Sequence, residues 1–498
     1  MPRSRYRRRR TTRRATRTQR CGCVAARQAA HLLLPALTRA RPPRPRRAQT
    51  WDVVVVGAGV AGSSLAFRLG NVRISTQAPA SGRRRARAGC AHARLRSPAA
   101  QEGRRVLLLE RELTQPDRIV GELLQPGGYL KLRELGLEDC LDGIDAQRVT
   151  GYVMYKQGEQ ASLQYPTDTH CPDVAGRAFH NGRFVQKLRL RAAAVPQVVL
   201  RQGTVKRLVS ADGAEWRDGT VVAGVAYRRA GEDKDRVARG SLTVVCDGMY
   251  STLRNNLSTP DIKHPSYFVG LVLHGCRLPV PQQACVVLAN PSPILFYPIS
   301  TSEVRCLVDV PGSKLPSVQT GEMKEHLLSL AEQVPEGLRD AYLEAVERGE
   351  IRSMQNKLMA AQPVHQAGAL LLGDSFNMRH PLTGGGMTVA LHDTKLLCDM
   401  LSGPLDLADP ALTAKQTFAY YTRRKPWAAT INTLANALYK ARTVRRRACV
   451  CPSHHAAWPA GVLRHWRVVE RRDAPGVLRL PPPRWHLCAG PHLVAFRP

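Results

Sequence analysis

The stretch Asp52-Val-Val-Val-Val-Gly57-Ala-Gly59-Val-Ala-Gly62 decides the fold class. A short β-branched run that ends in glycine is typical of a buried parallel strand, and Ser63 to Leu69 continues as a helix. The glycines form a G-x-G-x-x-G pattern in this strand-to-helix turn, which lets a pyrophosphate approach the backbone and the helix N-terminus. The stretch therefore predicts a dinucleotide-binding βαβ unit, with a ligand-free structural turn as the alternative.

The acid that accompanies this fingerprint is Glu110, at the end of the strand pattern Arg105-Val-Leu-Leu-Leu-Glu110. Its carboxylate can accept hydrogen bonds from ribose hydroxyls, but it lies 48 residues beyond Gly62, where about 20 are expected. The Arg-rich stretch from Val72 to Gln101 has neither helical nor strand periodicity, and its removal leaves a spacing of 18 residues. We therefore expect an insert here. A retained intron would fit in frame. An intron ordinarily begins with GT, as every Val codon does, and ends with AG, as the Gln codon CAG does.

A third element supports a flavin ligand. Leu370 to Asp374 is another buried-strand pattern, and Arg379-His-Pro-Leu-Thr-Gly-Gly-Gly-Met387 leads into a helix. A Gly-rich helix start can bind an anionic or hydrogen-bonding edge, and Asp374 can accept a hydrogen bond from a ribityl hydroxyl. Taken alone, Gly384 to Gly386 is equally consistent with a flexible turn. Together with the fingerprint and Glu110, it predicts FAD.

Most of the net charge of +35 lies outside the regular part of the chain. Residues 1–50, 72–101 and 445–498 carry 31 of these charges, and the remainder is nearly balanced. Nucleic-acid binding through basic arms is the alternative interpretation, but this distribution disfavours it, and we expect no nucleic-acid partner. The first segment fits a targeting peptide, a disordered arm or a translated non-coding leader. The last reads as a frame-shifted or mis-spliced tail, which we expect to be disordered.

Cysteine and hydropathy patterns exclude several other classes. The 13 cysteines show no disulfide framework. Cys449, Cys451, His454 and His455 match no standard zinc spacing, so we expect no metal. No uninterrupted apolar run reaches the roughly 18 residues of a membrane-spanning helix.

The remaining sequence alternates helix and strand patterns, which predicts an α/β chain with a strand-rich insertion. We expect helices over 322–333, 383–401 and 411–442. Strand patterns between Phe268 and Val310 suggest a mixed-sheet substrate domain inserted between segments of the flavin domain. We expect the FAD-binding domain at 51–150, 176–257 and 365–403, the substrate domain at 151–175 and 258–364, and C-terminal helices at 404–444.

Four motifs carry a resemblance to a known family. They are Asp117 to Gly128, Gly176 to Phe184, Leu288 to Pro293 and Leu372 to Met387, and in this order they closely resemble squalene monooxygenases, also called squalene epoxidases. The resemblance extends from Asp52 to Arg442 apart from the insert. It implies a fold of the flavin hydroxylase type: a Rossmann-like FAD-binding domain, an interleaved mixed-sheet substrate domain and a C-terminal helical segment.

The resemblance also implies site residues. Gln125 and Tyr152 match a pair at the substrate pocket, where Tyr152 helps to place the reacting end of the polyene; alternatively, Tyr152 merely ends a strand. The expected cofactor-binding residues, from the glycine patterns and the resemblance together, are Gly57, Gly59, Val60, Ala61, Gly62, Glu110, Arg111, Arg118, Arg189, Val205, Asp374, Gly385 and Met387.

The implied reaction is epoxidation of squalene with O2 and electrons from NADPH, delivered by NADPH-cytochrome P450 reductase. Because the substrate is a hydrocarbon, we expect an apolar tunnel lined by Phe268 to Leu273 and Ile294 to Tyr297. The family implies attachment to the endoplasmic reticulum through apolar C-terminal helices, a feature from which 445–498 departs. The alternatives are a related FAD-dependent hydroxylase, an isoprenoid reductase, or an inactive product of a faulty gene model.

Overall fold

The computed structural model describes residues 50–71, 103–166, 175–364, 366–402 and 405–443. The expectations for the leader, for the insert and for the C-terminal tail with its Cys and His residues fall outside these residues. The described strands are β1 (Trp51–Val56), β2 (Val106–Glu110), β3 (Leu123–Leu124), β4 (Gln147–Val149), β5 (Gly151–Lys156), β6 (Glu159–Gln164), β7 (Gly176–Ala178), β8 (Val198–Gln202), β9 (Thr204–Val209), β10 (Gly224–Arg228), β11 (Arg236–Val245), β12 (Ile262–His274), β13 (Gln283–Val287), β14 (Ile294–Pro298), β15 (Glu303–Pro311), β16 (Arg352–Met359) and β17 (Ala369–Leu371).

The α-helices alternate with these strands and then close the chain. They are α1 (Val60–Asn71), α2 (Pro126–Leu135), α3 (Asn181–Ala193), α4 (Arg254–Leu257), α5 (Glu322–Leu328), α6 (Glu336–Arg348), α7 (Gly386–Leu401), α8 (Pro410–Arg423) and α9 (Lys425–Thr443). Among the described residues, none of these helices is both long and apolar enough to cross a membrane.

The first sheet contains the dinucleotide-binding unit predicted from the opening motif. Its strands run in the order β8-β2-β1-β11-β10-β9, with β17 also paired to β11. The pairs β1/β2, β2/β8, β1/β11 and β11/β17 are parallel. Val53, Val54 and Val55 in β1 are completely buried, as expected for the centre of a parallel sheet covered on both faces.

The end of α1 and the start of β2 are in direct contact. The backbone N–H of Arg104 donates to the carbonyl of Leu69 at 3.0 Å, so the last turn of α1 meets the start of β2. The Arg104 side chain also donates to the carbonyls of Leu401 and Leu405, at 2.9 and 3.0 Å. The two ends of the chain that flank residues 72–102 therefore lie side by side, as a short αβ turn requires.

The second sheet is mixed and has two different faces. Its order is β16-β12-β15-β14-β13-β5-β6, antiparallel except for the parallel pair β13/β5. Because side chains alternate along a strand, Phe296 points towards α6, where its ring meets Tyr342 at 6.5 Å. Leu295 and Tyr297 belong to a separate apolar cluster on the opposite face. A small antiparallel sheet, β3-β7-β4, accompanies the two large ones.

Three predicted helices differ from the structure. The helix expected from Thr383 begins only at Gly386, because the glycine run has low helix propensity and a 3-10 turn precedes it. The helix expected over 322–333 ends at Leu328 and is followed by a 3-10 turn. The helix expected over 411–442 is two helices, α8 and α9, because Pro426 fits only the first turn of a new helix.

Candidate active site

A cavity of about 710 Å³ lies between the first sheet and the mixed sheet. One side is formed by the β1–α1 turn, the end of β2 and the N-terminus of α7. The other side is formed by residues of β13, β14, β15 and β16. This volume lies in the range of binding sites for small molecules and cofactors, which is about 300–1,000 Å³.

The three glycines of the fingerprint have different environments. A Cβ added at Gly59 would meet no atom within 4 Å, and Gly59 lines the cavity. A Cβ at Gly57 would lie 2.6 Å from the Cys246 carbonyl oxygen, and one at Gly62 would lie 1.9 Å from the Gly57 carbonyl oxygen. Gly57 and Gly62 therefore permit close backbone packing, whereas Gly59 leaves the approach to α1 open for a ligand.

Glu110 and Arg189 hold the fingerprint turn from both sides. Glu110 Oε2 accepts a hydrogen bond from the Ala58 N–H at 2.7 Å, and Arg189 Nε donates to the Ala58 carbonyl at 2.9 Å. The two side chains form an ion pair at 3.6 Å. Burial lowers the pKa of the Arg189 guanidinium, and the charge of Glu110 opposes this effect. Both residues line the cavity as well as fixing the turn.

The remaining residues predicted to bind the cofactor occupy different positions. Val60, Ala61, Arg111, Arg118, Val205, Asp374 and Met387 line the cavity. Gly62 and Gly385 are not among the lining residues. A Cβ at Gly385 would lie 2.5 Å from Cγ2 of Ile431, so Gly385 allows α9 to pack close to the start of α7.

Sequence reasoning did not identify Arg254 and Asp247. Arg254 is buried and donates to the carbonyls of Gly248 at 2.8 Å, Ser375 at 2.9 Å and Asp374 at 3.2 Å, which joins two loops of the cavity wall. Burial raises the pKa of Asp247, opposed by a hydrogen bond from Ser251. The detectable signal was the Asp-Gly pair after β11, which mirrors the Gly373-Asp374 pair after β17.

Gln125 and Tyr152, the predicted substrate-pocket pair, are in direct contact. Gln125 Nε2 donates to the Tyr152 phenol oxygen and, at 3.0 Å, to the Thr383 carbonyl. Tyr165, which sequence reasoning missed, donates to Gln125 Oε1 at 2.6 Å. Burial raises the pKa of Tyr152, and the hydrogen bonds of Tyr152 with Gln125 and Tyr165 offset the effect only in part. Tyr152 lines the cavity and Gln125 fixes its phenol from behind.

The wall formed by the mixed sheet is apolar where β13, β14 and β15 face the cavity, whereas β16 contributes Gln355, Asn356 and Lys357. Leu295, Tyr297 and Leu307 line it, and Phe296 is also a lining residue although its ring packs on the other face of the sheet, against Tyr342. The other segment expected to form a tunnel, Phe268 to Leu273, contributes no lining residue. The ring of Phe268 packs edge-on against His380 at 5.7 Å instead.

A buried ion pair adjoins this apolar wall, and its carboxylate residue, Glu122, also lines the cavity. Arg305 donates to both carboxylate oxygens of Glu122, at 2.8 and 2.9 Å, and Tyr297 donates to Glu122 Oε2 at 3.2 Å. Burial alone would lower the pKa of Arg305, but the hydrogen bond and charge of Glu122 raise it. Every polar group of this trio therefore has a protein partner on the side of the cavity where the surface is apolar.

A family model described as squalene epoxidase matches residues 239–449. "Squalene epoxidase 3" of Arabidopsis thaliana is 53% identical over 407 residues, which are 80% of this chain and 70% of that protein. "Squalene monooxygenase SE2" of Panax ginseng is 50% identical over 390 residues, 78% of this chain and 65% of that protein. The chain belongs to the squalene epoxidase family.

Solved structures confirm the predicted α/β fold of the flavin hydroxylase type for this squalene epoxidase family member. PqsL of Pseudomonas aeruginosa, titled a probable FAD-dependent monooxygenase, superposes with a TM-score of 0.59 at 19% identity, covering 80% of this chain and 98% of that one. The myxobacterial FAD-dependent halogenase CndH gives a TM-score of 0.60 at 17% identity, covering 86% and 92%. At these identities the likeness concerns the fold.

The side of the cavity near the glycine turn fits FAD, the cofactor of this family. Gly59 leaves the turn open, and α7 begins at an N-cap glycine that provides no side-chain cap. Three buried polar atoms of residues that line the cavity, Asp247 Oδ1 and Arg379 Nε and Nη1, have no hydrogen-bond partner among the described residues. Such atoms are costly when buried unless a ligand pairs with them, and FAD is rich in donors and acceptors.

Proposed function

We propose that this chain is an FAD-dependent squalene monooxygenase, which epoxidises squalene to (S)-2,3-epoxysqualene with O2 and electrons from NADPH. The observation that carries the proposal is a single cavity with two unlike walls. Gly59, Glu110 and Asp374 lie on one side, and Leu295 and Leu307 lie on the other. A polar cofactor and a hydrocarbon can therefore share one enclosed space. The product belongs to sterol and triterpenoid biosynthesis.

FAD, when bound, supplies the activation of O2, and the protein supplies binding, orientation and exclusion of water. We propose that the residues predicted from the sequence hold it, with Gly59, Glu110, Arg189 and Asp374 as the central group. In this arrangement Gly57, Gly62 and Gly385 act through backbone packing. We further propose the division into an FAD-binding domain at 51–150, 176–257 and 365–403 and a substrate domain at 151–175 and 258–364.

Tyr152 is the side chain we assign to placing the terminal double bond. Its phenol is held by Gln125, and Gln125 is in turn held by Tyr165 and the Thr383 carbonyl. Tyr152 is a neutral hydrogen-bonding group at physiological pH, as phenols ordinarily are, and burial raises its pKa further. A fixed phenol at the junction of the two walls limits the positions that a flexible polyene can adopt near the flavin.

The test is a turnover assay with purified chain, FAD, squalene, NADPH and a cytochrome P450 reductase. We expect 2,3-epoxysqualene by mass spectrometry, and incorporation of one labelled oxygen atom from ¹⁸O2. Tyr152→Phe should lower kcat/KM by roughly 10- to 100-fold, the scale of a misplaced substrate, and leave FAD affinity unchanged. Tyr165→Phe is the matched control and should have a smaller effect, since Tyr165 contacts Gln125 behind the cavity wall.

The same assay separates the alternatives. Substrate consumption without O2 would indicate an isoprenoid reductase, and a hydroxylated product would indicate a related hydroxylase. Failure of the purified chain to bind FAD would favour an inactive gene product.

The reductase partner and attachment to the endoplasmic reticulum membrane are part of this proposal. Phe418, Trp427, Leu434 and Leu438 are exposed apolar side chains on α8 and α9. The last three are spaced for one face of α9, a pattern typical of helices that lie in a membrane interface. The neighbouring side of α9 carries the buried residues Ala428 and Ala435, and Ile431 lies against Gly385 at the start of α7. A helix in this position would bring the cavity close to a bilayer that contains the substrate.

Vesicle binding tests the membrane assignment. We expect the chain to co-sediment with phosphatidylcholine vesicles that contain phosphatidylserine. The double substitution Leu434→Glu/Leu438→Glu should reduce this binding, whereas Val318→Glu/Leu328→Glu, at exposed apolar sites in the segment between β15 and α6, should not. Equal loss in both variants would argue against a specific surface on α9.

A further inference from the structure

Arg379 differs from the other buried arginines near the site. The residue is only 9% exposed, and it lines the cavity in the loop that precedes α7. Nη2 donates to the carbonyl and side-chain oxygens of Asn377, at 2.8 and 3.0 Å. Nε and Nη1 are buried and have no hydrogen-bond partner among the described residues. Two of its donor nitrogens are therefore unsatisfied beside the cavity.

Two comparable arginines have their charge paired. Arg305 makes two hydrogen bonds to Glu122, and Arg424 makes two to Asp393, at 2.7 and 3.0 Å. No carboxylate among the described residues lies within 4.0 Å of the Arg379 guanidinium. Burial lowers its pKa, and Asp374 and Asp393 oppose this effect only from beyond ion-pair distance. A buried guanidinium without a directly paired carboxylate is costly, and an anionic or carbonyl-rich ligand would remove much of this cost.

A second positive feature lies at the same place. The N-terminus of the 16-residue helix α7 has no side-chain cap, and Gly386 and Met387 of its first turn line the cavity. An uncapped helix N-terminus attracts negative charge through its free N–H groups and its dipole. Squalene, a hydrocarbon, offers no acceptor to either feature. The pyrophosphate of a dinucleotide is expected elsewhere, at the turn before α1.

We infer that Arg379 contacts the electron-rich edge of the flavin ring and favours its reduced, anionic form. This inference rests on the proposed function, because it assigns a cofactor-contacting residue for that site. A positive charge beside the ring stabilises the reduced form more than the oxidised form, since the reduced form carries additional negative charge. Loss of Arg379 should therefore make the flavin harder to reduce.

The test compares the full chain with Arg379→Met and Arg379→Lys. FAD affinity is measured by quenching of flavin fluorescence, the midpoint potential by reduction against a reference dye, and apoprotein stability by thermal unfolding. We expect Arg379→Met to lose ten- to a hundredfold more affinity for reduced than for oxidised FAD, which corresponds to a potential about 30–60 mV more negative for a two-electron couple. Arg379→Lys should retain part of the preference for reduced FAD, because it keeps the positive charge.

Apoprotein stability separates a cofactor contact from a structural role. If Arg379 is paired only when FAD is bound, Arg379→Met should leave the Tm of the apoprotein unchanged or raise it. The same substitution should reduce the increase in Tm that added FAD causes. Lys357→Met is the matched control, because it removes a cavity-lining charge that already sits over the Tyr250 ring at 4.2 Å. We expect it to change the ratio of the two affinities by less than twofold.

Two results would overturn the inference. One is an unchanged potential in Arg379→Met, and the other is a lower apoprotein Tm with the same FAD affinity. In both cases the proposed function would stand, provided that the unsubstituted chain binds FAD. Absence of FAD binding by the unsubstituted chain would instead count against the proposed function itself.

Discussion

The buried polar groups of the two cavity walls differ in whether they have hydrogen-bond partners. On the glycine-turn side, Asp247 Oδ1 and two nitrogens of Arg379 are buried without a partner among the described residues. On the mixed-sheet side, Glu122, Arg305 and Tyr297 satisfy one another beside an apolar surface. Unsatisfied groups indicate where a ligand must bring hydrogen-bonding partners, and satisfied groups indicate where it brings none. The contrast fits a polar cofactor on one side and a hydrocarbon on the other.

The largest expected effect comes from breaking the pair on the mixed-sheet side. Glu122→Gln leaves the Arg305 charge buried without its carboxylate, which should lower the free energy of unfolding by about 3–5 kcal/mol. Chemical denaturation with and without FAD measures this loss, and we expect FAD to recover little of it, because the pair lies in the wall opposite the cofactor.

The double variant Glu122→Leu/Arg305→Met is the control for that prediction. Removing both charges should recover most of the stability, since a buried ion pair and an apolar replacement of similar volume are often equivalent. A double variant as unstable as the single one would show that the pair has a role beyond mutual neutralisation.

The sequence predicted one wall much better than the other. Glycine spacing and Glu110 at the end of β2 are local patterns whose meaning depends on a single βαβ unit, so they could be read directly. Glu122 and Arg305 are 183 residues apart, and no local pattern joins them. The strand β16 was also missed, because its sequence Arg-Ser-Met-Gln-Asn-Lys-Leu-Met has no regular alternation of apolar and polar residues.

The next prediction distinguishes the roles of two glycines, Gly59 and Gly62, on the glycine-turn side of the cavity, called here the cofactor wall. Gly59→Ala places a methyl group in open space beside the turn, so the apoprotein should keep its stability while FAD affinity falls by roughly tenfold, or about 1.4 kcal/mol. Gly62→Ala places its methyl group against the Gly57 carbonyl, and should destabilise the apoprotein by about 1–3 kcal/mol. Titration with FAD and thermal unfolding measure the two quantities separately. Equal losses of stability in the two variants would contradict the distinction drawn from their environments.

The smallest effect is expected from deleting residues 72–101, which separate α1 from β2 in the sequence of the dinucleotide-binding unit. Because Arg104 already bonds to Leu69, deletion of residues 72–101 should preserve the end of α1 and the start of β2. Loop length contributes only weakly to stability, about 0.6 kcal/mol for each doubling, so we expect a change below about 2 kcal/mol. FAD content and chemical denaturation of the deleted and full-length chains provide the comparison.

Equal flavin content in the two chains would mean that the cofactor wall tolerates the segment and that its geometry is set by the contact between α1 and β2. A large gain of flavin on deletion would mean that the segment prevents closure of the βαβ unit, so that the full-length chain is an impaired form of the enzyme. Loss of flavin on deletion would contradict the insert hypothesis, because the segment would then contribute to the wall that the glycine fingerprint forms.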